Sequence, residues 1–476
     1  MSRFRNGLRG LLALGVLTLS LSSGAMAVAA PAVPEPVAEV AAAVVQAPAE
    51  AVEAVAAEAE APAPVLLAHQ AALEIDGAGT AWLGTSTALV LLMTLPGLAL
   101  FYGGMVRRKN VIATITQSVG VFGVVSLVWF VAGYSLAFGN GGDMNSYIGG
   151  FDSLFLNGVT MDTAHSLLPG IPEFLFIAFQ MTFAIITPAL ITGAFAERIK
   201  YSGLLLFTAL WSLLVYSPIA HWVWGGGFLG SMGVLDFAGG AVVHVNSGVA
   251  GLVCAIFLGS RKGYGSEPIV AHNPVLTMIG ASLLLVGWIG FNAGSAGAAN
   301  NLMAVALINT VLAAAAASLT WKIVEVMEKK KPSLIGVLSG MVAGLVAITP
   351  AAGFVDPKGA VIIGLIAGPV CYASSVWIKK LLKYDDSLDA FGIHGAGGLL
   401  GALLTGVFAT TAINSLSEDA NFAAQAIGLV WTILFSAIGT LVILVICKYT
   451  TGLRVTDAQE AEGLDTHLHG EAMDHA

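Results

Sequence analysis

The chain of 476 residues is 57% hydrophobic and only 10% charged, with a mean hydropathy of +0.85. A soluble domain carries about 25% charged residues, so this composition excludes an ordinary soluble enzyme and indicates a polytopic membrane protein. The formal net charge of −9 does not favour nucleic-acid binding, because the acidic residues cluster in the two polar ends. Cys254, Cys371 and Cys447 all fall in apolar segments, which favours core packing over a disulfide framework or a metal site.

The first 75 residues predict a leader and a linker. Residues 1–27 combine three early arginines, a short apolar run and a small-residue cleavage site ending at Ala27, which is typical of a secretory signal peptide. An uncleaved first helix is the alternative, which the shortness of the apolar run disfavours. Residues 28–75 are rich in Ala, Pro and Glu and predict an extracytoplasmic linker.

Eleven apolar segments follow, each long enough to span a bilayer or nearly so. They cover approximately residues 82–105, 111–138, 173–195, 201–220, 240–259, 273–293, 300–325, 333–350, 358–378, 391–411 and 422–447. The predicted fold class is therefore an all-α polytopic membrane protein with eleven transmembrane helices. Its transmembrane domain covers 76–449, and a cytoplasmic C-terminal tail covers 450–476.

The loop charges predict the orientation of these helices. Of the 20 basic residues, three lie in the signal peptide and one, Lys358, lies in an outside loop. All the others fall in the inside loops or the tail. This bias predicts an outside N-terminus and a cytoplasmic C-terminus, with the chain as a multi-pass protein of a bacterial inner membrane.

Two histidines, His244 in the fifth helix and His394 in the tenth, lie inside apolar runs. A titratable side chain at membrane depth faces a protein interior or a wet cavity. Glycines follow each histidine at plus four and plus seven, on the same helix face, so that another backbone can approach closely. These glycines are Gly248, Gly251, Gly398 and Gly401.

The positions of the two histidines predict an inverted repeat. Ten helices divide into two halves of five, and because five is odd the second half enters the membrane from the opposite side. Such architectures place a transport site near the midplane, with the eleventh helix peripheral. A neutral imidazole has one donor and one acceptor nitrogen, so a facing pair would pass a small polar molecule or relay a proton. Alternatively, each histidine only hydrogen-bonds a neighbouring helix.

Five further residues are candidates for an outer site. Trp224 would supply an aromatic face for a cation, or serve as an ordinary interfacial tryptophan. Asp236, eight residues before His244, would contribute to the site or only cap a helix, and in either case it places negative charge near the outer mouth. Phe183 and Phe291 would be gate or core residues, and the hydroxyl of Ser295 would accept a hydrogen bond from a small donor.

Four motifs resemble the ammonium transporter (Amt) family over about residues 82–470. They are Ala194-Phe-Ala-Glu-Arg-Ile199, Asp236-Phe-Ala-Gly-Gly-Ala-Val-Val-His244, Gly287-Trp-Ile-Gly-Phe-Asn-Ala-Gly-Ser-Ala-Gly and Phe391-Gly-Ile-His394-Gly. The resemblance implies ammonium uptake by a homotrimer in which each subunit has its own pore. It implies no enzymatic activity and no cofactor.

The resemblance also implies residue roles. Phe183, Trp224 and Ser295 would bind ammonium, Phe183 and Phe291 would gate the pore, and the two histidines would line it. Asp236 would support the outer site from behind. Asn140 departs from the family pattern, in which glutamate is found, and this leaves the role of that position open. The tail, with Glu462-Gly-Leu-Asp465 and His469-Gly-Glu471, resembles tails that help a cytoplasmic PII-type signal protein dock.

Other functions remain as alternatives. If the proton released from ammonium crosses the membrane with ammonia, the protein is an electrogenic transporter. If the proton returns to the outer side, the protein is an ammonia channel. An ammonium sensor or a Rhesus-like gas channel is the runner-up, although a sensor often has a long signalling domain and only about 29 residues follow Cys447. An intramembrane hydrolase is disfavoured because neither histidine has a His-Glu-x-x-His pattern, and Asp389 is better read as a helix cap. A proton-coupled transporter for another solute also remains, since fold does not fix substrate.

Overall fold

The computed structural model describes residues 69–72 and 74–473, without the side chain of Asp419. The predicted signal peptide and nearly all of the predicted linker lie outside the described residues. Within the described residues, eleven main helices follow one another. They are α1 Gly77–Met105, α2 Arg108–Phe138, α3 Glu173–Phe195, α4 Tyr201–Ser231, α5 Gly240–Leu258, α6 Pro274–Ala293, α7 Asn301–Lys329, α8 Leu334–Ile348, α9 Pro357–Leu382, α10 Phe391–Phe408 and α11 Phe422–Thr450.

Ten of these helices are long and apolar enough to cross a membrane, and α8 is the shorter one. At 1.5 Å per residue, its 15 residues extend about 22 Å, less than the roughly 30 Å of a bilayer core. Most of α8 is buried between neighbouring helices. The eleven predicted segments therefore correspond to eleven helices, one of which is short and interior.

The smaller elements lie at the two ends of the helices. A two-residue antiparallel pair joins β1 Gln70–Ala71 to β2 Thr163–Ala164, and short 3₁₀ turns cover Gly142–Met144, Leu154–Leu156 and Ser415–Asp419. Helix α4 continues to Val223 with a π-helical segment at Ser212–Tyr216, and resumes as a short turn over Phe228–Ser231. The tail contains α12 Asp457–Glu462, which begins with a capping box at Thr456, and a π-helical turn over Asp465–His469.

Helices α5 and α10, here called the central helices because they carry His244 and His394, pack directly against each other. A Cβ added at Gly248 of α5 would lie 2.2 Å from the Gly395 nitrogen of α10, so the two backbones meet where a side chain has no room. Gly401 of α10 lies equally close to α8, where an added Cβ would be 2.1 Å from the Ala347 carbonyl oxygen. The glycines after each histidine therefore serve close helix packing, as their spacing predicts.

The two ends of the helix bundle differ in chemistry. At one end, here called the basic end, Arg107, Arg198, Arg261 and Arg454 contact acidic and carbonyl groups of loops and tail. At the opposite end, here called the Trp224 end, the indole of Trp222 donates to the Tyr147 carbonyl. Helix α5 begins at the Trp224 end and α10 begins at the basic end, so the two central helices are antiparallel.

Candidate functional site

The two central helices begin in the same way, each with an aspartate that caps its exposed N–H groups. Asp236 accepts four backbone hydrogen bonds, from Gly239, Gly240, Ala241 and Val242, at 2.8, 2.5, 2.8 and 3.1 Å. Asp386 accepts two, from Ala390 at 3.0 Å and Phe391 at 2.8 Å. A buried carboxylate at a helix N-terminus satisfies otherwise unpaired donors and the helix dipole together. The two caps fix the start of the two helices.

Each capping aspartate is followed by a histidine after the same number of residues. His244 and His394 both lie in π-helical first turns, Gly240–Val245 and Phe391–Gly395. The preceding backbone also matches, because Gly239 and Asp389 both have positive φ, at 108° and 60°. The two caps occupy equivalent positions although they accept different numbers of hydrogen bonds. Together with the matched π-helical turns and the opposite helix directions, they bring the two imidazoles face to face.

The two imidazoles form a buried pair. The Nδ1 atoms of His244 and His394 are 3.3 Å apart, and the ring centroids are 5.3 Å apart with planes inclined by 24°. One Nδ1 must donate and the other accept, so the two rings hold opposite tautomers. One ring then presents an accepting Nε2 and the other a donating Nε2–H. The Nε2 atom of His244 is buried without a hydrogen-bond partner among the described residues.

A row of aromatic rings leads from the Trp224 end to the histidines. The ring column, as we name it, consists of Trp224, Phe183, Phe291, His244 and His394. Its successive centroid distances are 6.0, 4.3, 5.9 and 5.3 Å. Trp224 is partly exposed, whereas the other four residues are at most 4% exposed. The close contact of the two phenylalanine rings therefore separates the Trp224 end from the histidine pair.

The remaining predicted site residues lie around the outer part of the ring column. The indole of Trp224 donates to the Asp236 carbonyl at 2.8 Å, so Asp236 contacts this tryptophan through its backbone while its carboxylate caps α5. Ser295 is partly exposed, and its hydroxyl donates to the Phe291 carbonyl at 2.8 Å, which places it one turn from the gate candidate. Asn140 is exposed, and its side chain accepts from Gly142 within a local turn.

A buried ion network ties the loops of the basic end together. Arg261 contacts Glu197 at 3.0 Å and Asp385 at 2.8 Å, and Arg107 contacts Glu197 at 3.0 Å. Burial alone would raise the pKa of Asp385, but the hydrogen bond from Arg261 and the positive charge of Arg198 outweigh it and lower the pKa. The pKa of Glu197 is lowered in the same way, by Arg261 and Arg107 against burial. Both carboxylates are therefore held ionised.

The neighbouring aspartate of this end behaves differently. Burial raises the pKa of Asp386, and the negative charge of Asp389 adds to the rise. Asp389 itself pairs with Lys379 and not with the helix N-terminus. The sequence prediction that Asp389 caps the tenth helix is therefore wrong, because its left-handed backbone turns its side chain toward Lys379 while Asp386 reaches the N–H groups.

The tail packs against the basic end. Arg454 donates to the Leu258 carbonyl at the end of α5 and pairs with Glu460 at 2.8 Å. Asp465 accepts from the Ala113 nitrogen at the start of α2 at 2.8 Å, and Leu464 is fully buried. The tail is thus attached both to the central helix α5 and to α2.

Two residues that support the site, Asp386 and Gln425, are absent from the sequence-based prediction. Asp386 has a detectable signal, since it precedes His394 by eight residues, as Asp236 precedes His244. Gln425 of α11 pairs with the backbone of Leu235, and no sequence spacing connects residues 190 apart. Among residues 69–72 and 74–473, no group of three His, Cys, Asp or Glu side chains is placed to hold a metal ion.

Comparison with known proteins identifies the family of this arrangement. The profile of the Ammonium Transporter Family matches residues 81–473. The chain belongs to the ammonium transporter family. It is 51% identical over 392 residues to the ammonium transporter of Bacillus subtilis, covering 80% of this chain and 95% of that protein. It is 47% identical over 413 residues to the ammonium transporter of Aquifex aeolicus, covering 85% and 95%.

Solved structures share the fold of this ammonium transporter family member. Saccharomyces cerevisiae Mep2 superposes with a TM-score of 0.75 at 34% identity, covering 80% of this chain and 88% of that chain. A Sensor Amt Protein superposes with a TM-score of 0.76 at 31% identity, covering 82% and 98%. The family is one of transporters and not of enzymes, and the prediction that the chain is not an enzyme is confirmed.

Proposed function

We propose that this protein carries ammonium across the cytoplasmic membrane along the ring column. Ammonium binds at the Trp224 end, loses a proton on passing the phenylalanine pair, and moves as ammonia beside the two histidines. The observation that carries the proposal is the continuity of the ring column from a partly exposed tryptophan to a buried histidine pair. Membership of a family of ammonium transporters supplies the substrate.

Recruitment uses Trp224, Phe183 and Ser295. The face of an aromatic ring attracts a cation by about 0.5–2 kcal/mol, more when water is excluded. The Ser295 oxygen accepts a hydrogen bond from ammonium, because its own proton is donated to the Phe291 carbonyl. Asp236 supports this site indirectly, by holding the indole of Trp224 through its carbonyl.

Passage through Phe183 and Phe291 selects against potassium. Potassium and ammonium have similar size and charge, so an apolar passage imposes a similar desolvation cost on both, of order tens of kcal/mol by a Born estimate. Ammonium avoids this cost by giving up a proton, which potassium cannot do. The two rings, with centroids 4.3 Å apart, rotate aside to admit a neutral molecule.

The histidine pair accommodates ammonia and offers a proton path. One Nε2 accepts a hydrogen bond from ammonia and the other donates one. When a released proton binds the accepting Nε2 of one ring, the Nδ1 proton of that ring can cross to the Nδ1 atom of the other, 3.3 Å away. The second ring then gives up its Nε2 proton on the far side, and both rings are left as neutral imidazoles with exchanged tautomers. If the released proton follows this path, transport is electrogenic; if it returns to the outer side, the protein is an ammonia channel.

The setting of the pore completes the proposal. The Trp224 end faces outward and the basic end faces the cytoplasm of a bacterial cell, as the loop charges predict. Each subunit of a homotrimer has its own ring column. A PII-type signal protein docks at the basic end, where the tail is attached to α2 and α5.

Reconstitution into liposomes tests this function. An inward ammonium gradient should give a saturable flux that potassium neither carries nor inhibits. Trp224→Leu should raise the KM for ammonium by on the order of tenfold, since loss of a desolvated cation–π contact of about 1–2 kcal/mol weakens recruitment. Thr432→Val is the control, because within the described part of the chain the Thr432 hydroxyl bonds only to Gly428 in its own helix. Potassium flux equal to ammonium flux would contradict the proposal, and ammonium binding without flux would favour the sensor alternative.

A further inference from the structure

An amide from the outermost long helix makes a two-point contact near the Trp224 end. Gln425 of α11 is 2% exposed. Its Oε1 accepts from the Leu235 nitrogen at 3.2 Å, and its Nε2 donates to the Leu235 carbonyl at 2.8 Å. Only one orientation of the amide satisfies both backbone groups. A buried amide is costly unless it is paired, and this one is paired at both atoms with a single residue.

Leu235 lies in the non-helical segment between α4 and α5, where backbone groups need partners from elsewhere. Such buried groups are paired in nearly all native structures. The next two residues are also held from outside, since the Asp236 carbonyl accepts from Trp224 and the Phe237 nitrogen donates to the Pro350 carbonyl. Three residues from outside, Gln425, Trp224 and Pro350, therefore anchor the backbone of residues 235–237, one at each position.

The anchors are connected through the peptide chain. The Leu235 carbonyl, which Gln425 holds, belongs to the peptide group that ends at the Asp236 Cα atom. Rotation of this peptide group would swing the adjacent Asp236 carbonyl, which receives the indole N–H of Trp224 at 2.8 Å. A Cβ added at Gly239 would also lie 3.3 Å from the Trp224 ring, so the ring packs directly on this segment.

We propose that Gln425 is a positioning residue for the outer ammonium site, which fixes the ring plane of Trp224 through the backbone of Leu235 and Asp236. The proposal rests on the proposed function, because it assigns Trp224 to ammonium binding. It gives α11 a specific role. This helix is the least buried of the ten long helices, and its inner face reaches the segment that supports the site.

Other polar side chains of α11 show what distinguishes Gln425. Thr432 bonds to the Gly428 carbonyl of its own helix, Ser436 to the Asn246 carbonyl of α5, and Thr440 accepts from Trp211 of α4. The contacts of Ser436 and Thr440 join α11 to another helix, and that of Thr432 stays within α11. Gln425 alone among these four contacts the non-helical segment that carries Asp236.

The test uses Gln425→Met, which keeps the length and removes both hydrogen-bonding atoms, in the full protein in liposomes. We expect the KM for ammonium to rise by on the order of fivefold to tenfold, with the maximal flux within about twofold of wild type. Gln425→Glu keeps the acceptor and loses the donor, so its KM should rise as well. Thr432→Val is the control for removal of a buried hydroxyl from the same helix, and its KM should not change.

A double-mutant cycle with Trp224→Leu separates positioning from general support. If Gln425 acts through Trp224, adding Gln425→Met to Trp224→Leu should raise the KM no further. Multiplicative effects of the two changes would overturn the positioning role, as would an unchanged KM for Gln425→Met alone. If Trp224→Leu itself leaves the KM unchanged, the proposed function fails first, and the two failures are thereby distinguished.

Discussion

The unequal caps of the two central helices predict unequal costs of removing them. In Asp236→Asn one accepting oxygen becomes an amide NH₂ that faces two backbone N–H groups, so at least two of the four buried donors lose their partner. Each unpaired buried donor costs about 1–3 kcal/mol, which gives about 2–6 kcal/mol. Asp386→Asn removes the partner of only one donor, or about 1–3 kcal/mol.

Burial raises the pKa of both capping carboxyl groups, Asp236 and Asp386. The expected difference between the two variants therefore rests on the number of hydrogen bonds lost. The relevant measurement is the free energy of unfolding in detergent, compared across both variants and Asp76→Asn. Asp76 caps the exposed start of α1 with one bond. Because asparagine keeps an oxygen that can accept this bond, Asp76→Asn should cost less than about 0.5 kcal/mol. A cost for Asp236→Asn no larger than that for Asp386→Asn would refute the hydrogen-bond reasoning.

Three further changes have defined outcomes. Gly248→Val should destabilise the protein by at least about 1–3 kcal/mol in thermal unfolding, because an added Cβ would lie 2.2 Å from the Gly395 nitrogen; a stable variant with normal flux would contradict the close approach. Phe291→Ala should reduce the selectivity for ammonium over potassium in liposome flux, by opening the ring pair, and retained selectivity would exclude a gate role. Arg261→Gln should lower the free energy of unfolding at neutral pH, measured for the variant and wild type over a range of pH. The pKa of Asp385 is lower in the folded protein than in the unfolded chain. The stability that this ion pair contributes is therefore complete above the ordinary carboxyl pKa near 4 and is lost as the pH falls through the folded-state pKa. If Arg261→Gln destabilises the protein as much at pH 3 as at neutral pH, the ion pair is contradicted.

Much of the fold is predictable because hydropathy alone marks each long helix. The hydropathy of segment 333–350 predicts a helix that spans the bilayer or nearly so, and the structure has the shorter α8 Leu334–Ile348 there. Hydropathy cannot separate a short interior helix from a spanning one, since both are apolar on all sides. Helix α1 begins at Gly77, five residues before the predicted start, because Asp76 caps a first turn that hydropathy does not detect.

The histidine pair is predictable from equal glycine spacing, whereas its support is not. Asp386 and Asp389 are both acidic and both precede His394, and only the backbone conformation determines which one caps the helix. The contact of Gln425 with Leu235 and the ion pair of Arg261 with Asp385 join residues 190 and 124 positions apart. Such pairings follow from helix packing, and a single sequence holds no local signal for them.

The arginines of the inside loops and tail both indicate membrane orientation and form structural contacts. From the sequence, Arg107, Arg198, Arg261 and Arg454 serve only to predict orientation. In the structure they also pair with carboxylates and carbonyl groups at the basic end. Loop charge counts cannot distinguish a topology signal from a structural ion pair, because both place arginine at the same helix end.

The most direct test of the central claim is the ammonium current through a variant in which both pore histidines are apolar. His244→Leu with His394→Leu should be reconstituted beside wild type, and currents driven by ammonium and by potassium gradients recorded on supported membranes. If the pair relays the proton, the ammonium current should fall by on the order of a hundredfold, or ammonium/potassium selectivity should be lost. An ammonium current and a selectivity both equal to wild type would contradict the relay.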